Sequence, residues 1–160
     1  FSVFATIGHA DQPFERFVSW LRESLEEAPL CDCLLQSGSL GEVFGPWRSV
    51  AFLPPAEFTA ALQGADFVLT HGGVGTILEC LRQRKPPVVV PRLRKHGEAI
   101  NDHQLEITAE LSSAGLVQPI HSQKHLASLL RQGPRRMSAS PFGANDAFLQ
   151  LVARCIERAA

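Results

Sequence analysis

The residues from Thr70 to Glu79 read THGGVGTILE, and their types and spacing suit the holding of an anion. A short apolar run, Phe67-Val68-Leu69, comes first, and Ile77, Leu78 and Leu81 follow at helical spacing. The chain is therefore predicted to leave a strand, turn through Gly72, Gly73 and Gly75, and enter a helix. Glycine at such a turn lets a phosphate oxygen approach backbone N–H groups without meeting a Cβ. The helix N-terminus adds roughly half an elementary positive charge. Thr76 offers a hydroxyl to the same anion, and His71 stands beside the glycines. The alternative is that the glycines only permit close packing of helix on sheet. Glu79 lies about a turn further on, where a carboxylate could accept from ribose hydroxyls or simply face solvent.

A second cluster, His96 to Gln104, reads HGEAINDHQ. Asp102, His103 and Gln104 could cap a helix, or their planar polar groups could grip the hydroxyls of a sugar. Arg92, Arg94 and Lys95 lie in the loop just before it, as a solvated basic segment or as cations able to pair with a carboxylate. The common nucleotide motifs fit poorly. No GxxxxGK[ST] is present, and the first glycine turn reads Gly8-His9-Ala10 and not GxGxxG. No group of Asp, Glu, His or Cys has metal-ligand spacing, so neither a metal nor another cofactor is expected.

These clusters need a frame to position them. Strands are predicted at Ser2–Ile7, Cys31–Leu35, Val50–Leu53, Phe67–Leu69, Val88–Val90 and Gly115–Val117. Helices are predicted from Pro13, with Asp11 or Gln12 as cap, and at Glu57–Gln63, Leu78–Arg84, Asp102–Ser113, Gln123–Arg131 and Phe142–Arg158. Residues 132–140 are rich in Gly, Pro and Ser and read as a linker to the last helix. That helix carries an apolar stripe of Phe148, Leu151, Val152, Cys155 and Ile156. It could pack at home or dock on a partner. Alternating strands and helices argue for a single α/β domain over 1–160, a doubly wound, Rossmann-like parallel sheet. In the order 3-2-1-4-5-6 the first and fourth strands are neighbours, so the turns at Gly8 and at Gly72–Gly75 face each other across the ligand crevice.

Composition agrees with a globular α/β chain: 45% of the 160 residues are hydrophobic and 19% charged. A formal net charge of -1 speaks against a nucleic-acid-coating surface. No apolar run approaches the about 20 residues that span a bilayer, and a cytoplasmic location is expected. Cys31, Cys33, Cys80 and Cys155 form no CxxC and read as reduced, mostly buried thiols.

HGGVGTILECLRQRKPPVVVP together with GEAINDHQLEITAEL resembles the C-terminal, nucleotide-sugar-binding domain of family 28 glycosyltransferases, the C-terminal half of a GT-B enzyme. The likeness is strongest to stand-alone, single-domain members that serve as subunits of two-chain transferases and of exopolysaccharide or capsule synthesis. The opening TIGHADQPFERF is similar to the start of the bacterial members, with His9 in place of their Thr. The resemblance implies that Gly8, Gly72, Gly73, Gly75 and Thr76 hold the diphosphate of a UDP-sugar and that Glu79 binds the ribose. It implies that Phe52, Leu53 and Pro54 build the uracil pocket, and that His103 and Gln104, with Asp102 and Arg92 beside them, meet the donor sugar. It further implies an inverting, metal-independent transferase and a membrane-associated partner subunit that recruits the chain to the membrane and binds a polyprenyl-linked acceptor. His9 faces the cleft and is a candidate catalytic or phosphate-contacting residue. A non-catalytic UDP-sugar sensor and a nucleotide-dependent oxidoreductase are the alternative functions.

Overall fold

The structure, a computed structural model, describes residues 1–28, 30–134, 150, 151, 153, 154, 156 and 157. Six strands form one sheet: β1 (Ser2–Thr6), β2 (Asp32–Gln36), β3 (Arg48–Val50), β4 (Phe67–His71), β5 (Val88–Val90) and β6 (Gln118–Pro119). The helices are α1 (Glu15–Glu27), α2 (Pro55–Gly64), α3 (Val74–Arg82), α4 (His103–Ser113) and α5 (Gln123–Gln132). Every strand pairing is parallel, in the order β3-β2-β1-β4-β5-β6. The predicted doubly wound fold and strand order are both present.

The sheet is covered on both faces, which is why its strands read as apolar runs and not as alternations. Val3, Ala5, Ile7, Leu35, Leu69, Val88 and Val90 pack against Phe17, Leu21 and Leu25 of α1 and Leu126 and Leu130 of α5. On the opposite face Phe4 and Val68 meet Leu62 of α2 and Cys80 of α3. Val89 points the same way and meets Ile77, Leu81, Ile107 and Leu111. β1 and β4 run side by side, with Val3 opposite Phe67 and Thr6 opposite Thr70, so both carry their following turns to one edge.

Several boundaries differ from the sequence expectation. α1 begins at Glu15, with Phe14 in the cap position and no side-chain cap from Asp11 or Gln12. Phe14 is fully buried, so tertiary packing sets this entry in place of a polar cap. The third strand ends at Val50, not Leu53. Ser37 and Gly38 donate their N–H groups to the carbonyls of Val50 and Ala51, and Leu53 N–H turns to the Gln36 side chain. Phe52–Pro54 thereby becomes a loop at the ligand edge. Gly115 closes the turn after α4 at φ +73°, Leu116 and Val117 enter the core, and the last strand moves to Gln118–Pro119.

Most of the expected linker at 132–140 and much of the Phe142–Arg158 helix lie outside the described residues. Gln132 still belongs to α5, and residues 150, 151, 153, 154, 156 and 157 are helical. Leu151 is buried in the cluster of Ile77, Leu81 and Leu111, whereas Ile156 of the same stripe is 50% exposed. Cys33 and Cys80 are buried free thiols and Cys31 is half-buried. Burial pushes Cys31 up to about 11, Cys80 up to about 12 and Cys33 higher still, which makes them poor nucleophiles. No described helix is long and apolar enough to cross a membrane.

Candidate functional site

At the junction of β4 and α3 the glycines divide into two groups. A Cβ on Gly73 would lie 2.1 Å from His71 Cε1, and one on Gly8, at φ +77°, 2.4 Å from His71 Nε2. A Cβ on Gly72 would lie 2.9 Å from Gln104 Cβ and from Thr108 Oγ1. Packing against His71, Gln104 and Thr108 by itself accounts for the missing side chains of these three glycines. Gly75 is different: nothing lies within 4 Å of its missing Cβ, and it is exposed. It sits in the first turn of α3, where N–H groups lack intrahelical partners. Gly73, in the cap position, supplies no side chain to satisfy them. The result is a bare, electropositive helix start at the switch point of the sheet.

His71 is the functional residue that sequence reasoning undervalued. It is the last residue of β4 and its ring fills the space left by Gly8 and Gly73. Gly73 N–H donates to Nδ1 at 3.1 Å, and Gln104 Nε2 lies 3.3 Å from the same atom. Nδ1 is therefore the acceptor, and Nε2 carries the proton toward Thr76 Oγ1 at 3.3 Å. Burial, then the nearby Arg92 and His9 charges, lower the imidazole from 6.5 to about 3. The signal in the sequence was position alone: a histidine closing an apolar strand, directly before two glycines.

This has a pH consequence. A histidine whose folded pKa is depressed leaves the unfolded chain holding the extra proton, so its contribution is whole above about 6.5 and erodes as pH falls toward 3. Between pH 6.5 and 5 the loss is about 2 kcal/mol. NMR of the ring should show no titration of His71 between pH 8 and 5, while urea midpoints fall over that range. A His71 ring that titrates near 6.5 contradicts the assignment.

Across the crevice, Gly8 N–H donates to Thr6 Oγ1 at 3.3 Å. The buried Gln36 amide donates to the same oxygen at 3.0 Å and accepts Leu53 N–H at 2.9 Å. The exposed His9 ring stacks on Phe52, with centroids 5.0 Å apart and planes 7° from parallel. Phe52 is 49% exposed, and Pro54 is the cap of α2. Two residues singled out separately in the sequence thus form one aromatic pair at the ligand edge. Glu79, on α3, accepts from Arg82 Nη1 and Gln83 Nε2, both at 3.0 Å.

Beside the glycine turn opens a cavity of about 270 Å³, lined among others by Gly72, Val74, Arg92, Asn101, His103 and Gln104. Its polar residues do not all serve as expected. Gln104 Oε1 takes Gly72 N–H at 2.9 Å and Arg92 N–H at 3.1 Å. The amide is mainly a clamp between three segments, and its oxygen is not free for a sugar hydroxyl. Asp102 is exposed, does not line the cavity, and accepts Arg94 N–H at 3.0 Å. Arg92 is no member of a solvated loop: it is 1% exposed, its Nη1 and Nη2 donate to backbone carbonyls, and its buried Nε has no hydrogen-bond partner among the described residues. The Asp102 carboxylate and the Arg92 guanidinium are thus engaged with backbone groups, while Arg92 also lines the cavity. His103 lines the cavity half-buried, and its N–H is held by Asn101 Oδ1 at 3.1 Å. Arg94 and Lys95 are exposed on a short helical turn, Arg94–His96.

Residues 44–147 match the glycosyltransferase family 28 C-terminal domain, and the chain belongs to that family. It is 41% identical over 54 residues to the human UDP-N-acetylglucosamine transferase subunit ALG13, a stretch that covers 34% of this chain and 4% of that protein. Its likeness to the Candida albicans subunit of the same name is 27% over 63 residues, 39% of this chain and 20% of that one. The matches thus span a fifth or less of these curated relatives. The fold is that of one half of a GT-B glycosyltransferase. The calicheamicin glycosyltransferase CalG4 superposes with a TM-score of 0.60 at 18% identity, over 99% of this chain and 38% of that one.

Proposed function

We propose that the chain is the UDP-sugar-binding, catalytic subunit of a split, inverting hexosyltransferase that needs no metal. Its sugar goes to a polyprenyl-linked acceptor held by a membrane-associated partner. The observation that carries this reading is the bare N-terminus of α3, opened by Gly75 at the crevice between β1 and β4. An anionic diphosphate suits that position. Its oxygens would accept from first-turn N–H groups and from Thr76, and the Nε2 proton of His71 lies beside that hydroxyl. The base would lie against Phe52–Pro54 next to His9. The sugar would enter the adjoining cavity near His103.

In the reaction the acceptor hydroxyl attacks the anomeric carbon from the face opposite the leaving group. The bond from that carbon to the β-phosphate oxygen breaks, and the acceptor proton goes to a base. Negative charge grows on the leaving UDP, where the helix start and its donors are already aimed. Metal independence is part of the proposal, and UDP binding in EDTA tests it. The relatives' description as a subunit supports a partner, and UDP-N-acetylglucosamine is the first donor to test.

Glu79 supplies a direct test at the ribose. Glu79→Ala should weaken UDP binding by about 1–3 kcal/mol, because hydroxyl donors lose a charged acceptor. The loss should be smaller for deoxyribose analogues, as measured by calorimetry. Equal losses for ribose and deoxyribose nucleotides would remove Glu79 from the site.

A further inference from the structure

Arg92 is a buried cation that pairs with no carboxylate among the described residues. Its Nη1 donates to the carbonyls of Gln12 at 2.7 Å and Glu98 at 3.0 Å, and its Nη2 to the carbonyl of Ile7 at 2.8 Å. Its plane lies over the Phe14 ring, 4.7 Å from the centroid. The Glu98 carboxylate is committed elsewhere, to Arg16 at 2.8 Å and to Leu93 N–H at 3.1 Å. Ile7 and Gln12 are the two ends of the stretch that contains Gly8 and His9. One guanidinium therefore grips that stretch at both ends. The Arg92 backbone N–H, in turn, shares Gln104 Oε1 with Gly72 N–H. A single residue links the turn after β1, the turn after β4 and the loop after β5.

We infer that Arg92 is a positioning residue that holds residues 8–11 against the Gly72–Gly75 turn, and so sets the shape of the diphosphate site through the backbone it grips. The inference rests on the proposed reading of that site as a diphosphate site. Lysine cannot substitute. A guanidinium is a rigid planar fork that reaches several acceptors in fixed directions and stacks on an aromatic face, whereas an ammonium is a point charge on a flexible stem. Displacement of a binding loop by about 1 Å can cost about a hundredfold where geometry matters. A nucleoside without phosphates would feel that displacement less, because it meets residues 8–11 only through His9 stacked on Phe52, while Leu53 N–H is held by Gln36.

The test uses the 160-residue chain and its Arg92→Lys variant, with two readouts. Hydrogen exchange of the free proteins should rise at residues 8–12 in the variant and stay unchanged in β5. In calorimetry, UDP affinity should fall about tenfold or more and uridine affinity distinctly less. Unchanged exchange at 8–12, or equal losses for UDP and uridine, would overturn the inference. Phe14→Leu removes the ring beneath the guanidinium but keeps Arg92; it should give the same selective loss at smaller size, and an unselective loss there counts equally against the inference. Failure of the wild-type chain to bind UDP would instead strike the proposed function, and the exchange readout keeps the two failures apart.

Discussion

Gly75→Val gives a folded chain that no longer binds UDP. The expectation follows from space and from backbone. Nothing lies within 4 Å of the Cβ that the substitution adds, and Gly75 is not among the described glycines with positive φ. The residue is inside a helix, where valine is preferred to glycine by a few tenths of a kcal/mol. The melting temperature should therefore hold or rise. Binding should fall by about 3 kcal/mol or more, because the isopropyl group stands where an oxygen must meet the first-turn N–H groups and their orphaned donors lose the ligand. Gly73→Val is a poor substitute, since its Cβ would strike the His71 ring and disturb the fold itself. Retained UDP affinity in folded Gly75→Val would place the anion elsewhere.

The second large effect concerns transfer. The purified 160-residue chain should bind its donor and transfer nothing to a polyprenyl-linked acceptor. This chain is covered almost wholly by solved GT-B structures, of which it covers 38%, and the fold it forms is one of their two halves. A cleft enzyme needs both walls: one holds the leaving group, and the other must bring the acceptor hydroxyl and its base to the anomeric carbon. Supplying membranes that contain the partner should raise turnover from background to the usual enzymatic range of about 1–10³ per second. The ligand edge around Gly75, His9 and Phe52, where Phe52 is 49% exposed, is the face we propose for docking. Steady transfer by the pure chain alone would refute the split enzyme.

The frame was legible because its signals are local. Val88-Val89-Val90 announces a strand covered on both faces, and the alternation of elements leaves few strand orders to consider. The switch point follows from that order, and with it the pairing of the Gly8 and Gly72–Gly75 turns. What stayed hidden depends on partners distant in sequence. Gly8 and Gly73 lack side chains because the His71 ring lies between them, a contact across 63 residues for Gly8. Arg92 opens a run, Arg92-Leu93-Arg94-Lys95, that reads as a surface loop. It is buried because its guanidinium donates to the carbonyls of Ile7, Gln12 and Glu98. Gln36 satisfies the backbone N–H of Leu53, and Gln104 those of Gly72 and Arg92, contacts that no local sequence signal announces. In Asp102-His103-Gln104 the spacing was that of a sugar-binding cluster, but two of its three side chains turn to the loops they hold.

The most direct measurement is a calorimetric titration of the chain in EDTA with UDP, a panel of UDP-sugars and NAD. A UDP-sugar site at the α3 start requires that UDP bind without any divalent ion, that one UDP-sugar bind at least as well, and that NAD not bind. Failure of UDP to bind, dependence of its binding on an added divalent ion, or an equal affinity for NAD would contradict it.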